Sequence, residues 1–221
     1  MLFVRRRERR SAEGIHVFWG RSAERGSWLS TTLVDGYEDL LGLDFADPGT
    51  ACPHPLLLVC THGKHDACCA RRGLPVFEAM RELADEGWVW QCSHVGGDRF
   101  AGNVVCLPEG VYYGRVETGD VLQLVDEHLA GRVQIELYRG RCCYSFPVQA
   151  AELAVREASR ALALDGLELV STSPIRFRAG DTEYEVEVER EEGELAYLTC
   201  NAAGLSHPRR YAARILREST A

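Results

Sequence analysis

No stretch of this 221-residue chain approaches the roughly 18 consecutive apolar residues that a membrane-spanning helix needs. The start, Met1-Leu2-Phe3-Val4-Arg5-Arg6-Arg7-Glu8-Arg9-Arg10, lacks the apolar core of a secretory signal, so a cytoplasmic address is expected, with no membrane partner. Positive charge is in deficit: 25 Lys and Arg against 33 Asp and Glu leave a formal net charge of −8. That balance argues against nucleic acid as the principal partner. The five arginines of the N-terminal run are expected to be a solvated tail rather than a contact for something acidic. There is no internal repeat, no low-complexity segment and no long Gly/Ser linker. Catalytic signatures are missing as well. No Ser-His-Asp set, P-loop or dinucleotide fingerprint is visible, and Gly96-Gly97 lacks a third glycine and its helix. No paired carboxylates stand out as a glycosidase site. A C-x-x-C motif, the mark of a dithiol oxidoreductase, is absent.

What the chain has in quantity is cysteine. There are nine, an odd number, and Cys68-Cys69 and Cys142-Cys143 are adjacent pairs. Without a secretory signal this disfavours a disulfide scaffold and favours metal binding or redox chemistry. Cys52, Cys106 and Cys200 read as buried or half-buried thiols. Cys142-Cys143 precedes a helix, where a thiol can become reactive.

Patterning predicts an α/β fold. Ile15 to Trp19 reads as a strand, and Tyr37 to Leu41 as a short helix. After the breakers Asp47-Pro48-Gly49, Pro53 and Pro55, the continuous apolar run Leu56 to Cys60 predicts a central strand covered on both faces. A loop with cysteines follows, then a helix from about Leu74 to Glu86, with Gly87 as its C′ residue. Trp88 to Cys92 predicts a second strand. Val104 to Leu107 and Val111 to Val116 flank Pro108-Glu109-Gly110 as a hairpin, and Asp120 to Leu129 is helical. The order β-α-β-β-β-α over about 56–130 describes a compact sandwich with a mixed sheet, for which a thioredoxin-like arrangement is one solution. Beyond it, Pro147 to Leu164 predicts a helix. Leu167 to Val170, Ile175 to Arg178, Thr182 to Glu189 and Leu195 to Cys200 predict strands, and Tyr211 to Arg217 a last short helix. In Thr182 to Glu189 the glutamates alternate with Tyr184, Val186 and Val188, as on the wet face of an edge strand. Such an acidic stripe could also dock a basic electron-transfer partner.

The chemistry concentrates in two segments. Cys60 ends a strand, Cys69 stands with eight residues between them before a helix, and His94 follows the neighbouring strand with Gly96-Gly97 behind it. Thiolates and an imidazole presented from adjacent loops suit a soft, redox-active metal. Packed residues at strand ends are the competing reading. His62 and His65 are either second contacts to such a centre or solvated loop residues.

The segments VCTHGKHDACCARRG, CSHVGGDRFAGNVVCLPEGVYYGRV and YRGRCCYSFPVQAAE resemble the sucrase/ferredoxin-like family over about residues 52–155, with a looser fit over 15–48. Beside the flanking N-terminal segment over 1–50 and the C-terminal helix with a small antiparallel β-element over 146–221 that patterning sets apart, the resemblance implies a thioredoxin-like domain over 51–145. It implies a 2Fe–2S cluster held by C-x8-C cysteines and the two histidines of H-x-G-G-H. By position Cys60, Cys69 and His94 match, but Asp98 stands where the second histidine belongs. Three arrangements are then open: Asp98 ligates, Cys68 or Cys92 replaces it, or no cluster is held. Direct ligation by Asp98 is the expectation carried forward. The implied function is electron transfer, a carrier rather than an enzyme, between a reductase and an acceptor, with a homodimer possible. The alternatives are a thiol oxidoreductase using Cys60/Cys69 or Cys68/Cys69, and a cluster-free binding domain. Arg99, Arg115, Arg139 and Arg141 are placed to neutralise an anionic cluster or to pair with Asp66 or Asp120.

Overall fold

A computed structural model describes residues 1–6, 14–85 and 87–220. Arg7, Arg9 and Arg10 of the basic run, and Glu86, lie outside the described residues. The strands are β1 (Val4–Arg5), β2 (Ile15–Arg21), β3 (Trp28–Val34), β4 (Leu56–Cys60), β5 (Val89–Cys92), β6 (Val104–Leu107), β7 (Val111–Tyr113), β8 (Tyr138–Arg141), β9 (Glu168–Thr172), β10 (Ile175–Ala179), β11 (Thr182–Glu192) and β12 (Arg209–Thr220). The α-helices are α1 (Ala67–Leu83), α2 (Val121–Leu129) and α3 (Phe146–Ser159).

Six strands form one mixed sheet in the order β1-β5-β4-β6-β7-β8. β4 runs parallel to β5, joined by α1 as a crossover, while β6 is antiparallel to β4 and β7 to β6. The order β4-α1-β5-β6-β7-α2 with these directions is a thioredoxin-like α/β arrangement, as the sequence pattern predicts. All five residues of β4 are buried, and the pleat divides them between two cores. Leu57 and Val59 face Val76, Phe77 and Met80 of α1 and Val121, Leu124 and Val125 of α2. Leu56, Leu58 and Cys60 face the other way, with Trp90, Cys92 and Val105, and are covered by Leu29 and Phe18 of the β2–β3 hairpin. A strand covered on both faces needs apolar side chains at every position, which is why this segment shows no alternation.

Several sequence expectations are corrected here. α1 begins at Ala67, so Cys68 and Cys69 lie in its first turn rather than in a loop. Asp66 is its N-cap, with Oδ1 accepting from the Cys68 amide at 2.7 Å. The helix stops at Leu83, and Gly87 belongs to the turn into β5. The N-terminal end is not a free tail: Val4 pairs with Cys92 and Arg5 with Gln91, and Arg6 lies over the Trp90 ring. β3 is an addition that the sequence pattern does not predict.

The C-terminal part packs α3 on a four-stranded antiparallel sheet of order β12-β11-β10-β9. Tyr211 to Arg217, expected as a helix, lies within β12 and pairs with β11 along its length. Alanines and arginines suit a helix locally, but Tyr211, Ala213 and Ile215 alternate inward and their burial against β11 and α3 decides. β11 is consequently an interior strand, not an edge. Its glutamates face arginines: Glu183 meets Arg176 at 2.9 Å and Glu187 meets Arg214 at 2.6 Å. Leu195 to Cys200 is a turn-rich connection held by the bridge between Ala196 and Ser206. α3 ends at Ser159, with Arg160 left-handed, five residues before the predicted stop. Among the described residues no helix is long and apolar enough to cross a membrane.

Candidate metal centre

Two close approaches bring the predicted ligands together. Gly73 sits in α1 against the end of β4, where a Cβ would overlap the Cys60 carbonyl oxygen. The glycine costs about 1 kcal/mol of helix propensity relative to alanine, and in return α1 lies directly on the strand end. Cys60 and Cys69 thereby enter the same core, both fully buried. After β5 the chain turns through Gly96 and Gly97, with φ of 87° and 77°. Side chains rarely adopt such angles, and the turn brings Asp98 back beneath His94.

Cys60, Cys69 and His94 present ligand atoms that lie within 4.8 Å of one another. Cys69 Sγ is 3.8 Å from His94 Nδ1 and 3.6 Å from Asp98 Oδ1. Asp98 Oδ1 is 3.3 Å from His94 Nδ1. All four predicted residues therefore converge, Asp98 joining through Cys69 and His94.

A fifth residue joins them. The His65 ring stacks on His94 with centroids 3.7 Å apart, and its Nε2 lies 3.7 Å from Asp98 Oδ1. His65, His94 and Asp98 form a second group whose ligand atoms lie within 4.8 Å of one another. The sequence offered His65 only as a second contact or a solvated loop residue. Its position depends on how the 61–66 loop folds back, which has no motif of its own. His62 has the supporting role, with Nδ1 accepting from the His94 amide at 3.3 Å.

The substitutes considered for Asp98 fare differently. Cys92 is buried in the core that holds Cys60 and Cys69, but it lies outside both close groups of ligand atoms. Cys68 is joined to Cys200 in a disulfide, so it offers no thiolate while that bond stands. The same bond corrects two readings: Cys200 is exposed rather than a buried thiol, and the dithiol pairs Cys60/Cys69 and Cys68/Cys69 are not the ones joined. At Cys142-Cys143 burial raises the Cys143 pKa, the direction opposite to activation. None of the four arginines is ion-paired to Asp66 or Asp120 among the described residues. Arg139 donates to Asn103 Oδ1 at 2.6 Å and Arg141 to the Ala23 and Glu24 carbonyls.

Burial, then the neighbouring Cys60, raises the Cys69 pKa well above the usual thiol range. Burial also lowers the His94 pKa against the pull of Asp98. The imidazole is thus neutral and available at neutral pH, while the thiol must lose its proton on ligation. The sign follows: metal affinity rises with pH throughout the range in which Cys69 remains protonated. Cobalt(II) titrations of the metal-free protein followed by thiolate charge-transfer absorption are expected to tighten by about tenfold per pH unit for each proton released. Affinity independent of pH between 6 and 9 would exclude Cys69 as a ligand.

The fold and these donors define a thioredoxin-like α/β protein with Cys/His groups that could hold a metal. The model of the sucrase/ferredoxin-like family matches residues 19–140, and the chain belongs to that family. Curated relatives include the protein named Altered inheritance of mitochondria protein 32, from Debaryomyces hansenii, 37% identical over 95 residues, 38% of this chain and 35% of the relative. Its Saccharomyces cerevisiae counterpart is 30% identical over 96 residues, 38% of this chain and 31% of that protein. The matches thus span about a third of those relatives' length. Among solved structures, the thioredoxin-like [2Fe–2S] ferredoxin from Aquifex aeolicus is similar at 23% identity and a TM-score of 0.37, over 41% of this chain and 94% of that one.

Proposed function

We propose that this protein is a single-electron carrier whose 2Fe–2S centre is held by Cys60, Cys69, His94 and Asp98, working in the cytoplasm between a reductase and an acceptor. The observation that carries the reading is the convergence of two buried thiols and one imidazole within 4.8 Å. The donor set fits the group: thiolate and imidazole nitrogen are the ligands such clusters take. When bound, the cluster supplies one-electron redox chemistry. The chain's own residues exclude water with the core around Cys60 and Cys69, hold His94 neutral, and present the Asp98 carboxylate from a partly covered side.

The fourth position controls the charge. A carboxylate in place of a neutral imidazole adds a negative charge and lowers the potential, as anionic ligation does relative to paired histidines. His65 is the second candidate there, favoured by its stacking on His94. The experiment is anaerobic purification with iron and acid-labile sulfide analysis, followed by redox titration of wild type, Asp98→His and His65→Ala. Near-equal iron and sulfide are expected in wild type, with a raised potential in Asp98→His. Retention of the centre in His65→Ala assigns Asp98 as the ligand. Iron-free wild type after cluster reconstitution would sink the proposal.

A further inference from the structure

The disulfide lies outside the candidate ligand set and has surroundings of its own. Cys68 and Cys200 are 132 positions apart, with Cα atoms 5.8 Å from each other. The bond pins the connection between β11 and β12 to the first turn of α1. A hydrogen bond at 2.9 Å from the Cys200 amide to Asp66 Oδ2 supports it. Both half-cystines line one open cavity of about 630 Å³, together with Arg72, Arg99 and Arg115.

Positive charge is in surplus there. Arg99, Arg115 and Arg139 crowd one ring, their guanidinium carbons 4.6, 5.1 and 4.4 Å from the Phe100 centroid. Among the described residues Arg99 has a single hydrogen bond, to the Arg209 carbonyl at 3.4 Å, and neither Arg99 nor Arg115 is ion-paired. Of the two carboxylates on the cavity wall, Asp98 is turned toward Cys69, His94 and His65, which leaves Glu117. A cavity with surplus positive charge and a disulfide in its wall selects a ligand that combines negative charge with a thiol.

We propose that this cavity docks a small carboxylate-bearing thiol, which exchanges with the Cys68–Cys200 disulfide. Its thiolate attacks Sγ of Cys200, the more exposed half-cystine, forming a mixed disulfide as the Cys68–Cys200 bond breaks. The bonding pair leaves on Cys68 Sγ, which takes a proton from water. A second thiolate attacks the ligand's sulfur in the mixed disulfide and releases Cys200, which is protonated in turn. Two thiols are oxidised to one disulfide, and one protein disulfide is reduced to two thiols. The covalent hold of the β11–β12 connection on α1 is lost at the first attack, when the Cys68–Cys200 bond breaks.

The test uses the full chain with its disulfide formed, and two probes: glutathione, which carries two carboxylates, and cationic cysteamine. Rates are taken at matched thiolate concentration, each normalised to the probe's rate with a small-molecule disulfide, and read by alkylation and mass of the Cys68 and Cys200 peptides. Glutathione is expected to react at least about fivefold faster than cysteamine at low salt, since each exposed ion pair contributes up to about 1 kcal/mol. The preference should vanish in Arg99→Gln/Arg115→Gln and fall steeply at high salt in wild type. Equal rates in wild type, or a preference untouched by salt or by the double substitution, would overturn the proposal. The salt series needs no variant, so the proposal stays testable even where the double variant fails to fold. The peptide readout is the same whether or not the chain holds iron, so this outcome is independent of the proposed centre.

Discussion

Replacing Cys60 with alanine is expected to remove the iron and the visible absorption altogether, whereas Cys92→Ser should retain both. The two thiols are close in the fold: they are register partners across the parallel β4–β5 pair, and both are buried. They differ in what they face. Cys60 Sγ belongs to the group with Cys69 and His94, and Cys92 Sγ does not. Alanine at 60 leaves no donor at that strand end, and Cys68 is held by Cys200. Cys92, its pKa raised by burial first and then by Cys60 and Cys69, is a neutral packing residue, so serine should cost stability without costing ligation. Iron analysis and the visible spectrum of both variants, purified without oxygen, decide the matter. Full iron in Cys60→Ala, or iron lost only in Cys92→Ser, would move the centre elsewhere.

The largest stability effect is expected far from any thiol. Arg156→Met should destabilise the protein by about 3–5 kcal/mol, the usual cost of removing one partner of a buried ion pair. Arg156 is fully buried on α3. Its guanidinium donates to Glu152 Oε1 at 3.1 and 3.2 Å and to the carbonyls of Ala161, Ala163 and Leu164 at 2.7, 2.8 and 3.3 Å. Tyr138 donates to the same Glu152 oxygen at 2.9 Å. Without the guanidinium, a buried carboxylate keeps one neutral donor, the carbonyls of Ala161 and Leu164 lose this donor, and Ala163 is left with the Gly166 amide at 3.0 Å. Lysine should not rescue, because a point charge with three donors cannot reproduce the planar fork that meets both the carboxylate and the carbonyls. The chemical-denaturation midpoint with an unchanged m value reads the effect, and a loss below about 1 kcal/mol, the range of exposed pairs, would show the pair to be dispensable.

The same guanidinium explains a misplaced boundary. Residues 160–164 carry good helix formers, and the pattern extends α3 through them. The chain instead leaves the helix at Arg160 and wraps its carbonyls around Arg156. A contact between one side chain and backbone atoms several residues ahead has no hydrophobic period. In β12 the reverse occurs, with local helix propensity yielding to a ladder with β11.

From its sequence alone this protein determined the central βαβββα order and the burial of β4 on both faces. It also set Cys60, Cys69 and His94 near the ends of adjacent strands, where the fold brings their ligand atoms within 4.8 Å of one another. Each follows from local information: a continuous apolar run, helical or alternating spacing, and soft ligands at the ends of adjacent strands. Tertiary structure alone decided that Asp98 is brought back by two left-handed glycines, that His65 stacks on His94, and that Cys68 bonds to Cys200. It also decided that Arg99 and Arg115 share a cavity with that disulfide. These depend on groups far apart in the chain meeting through close packing, as Gly73 permits against Cys60, and no periodicity in a sequence encodes such a meeting.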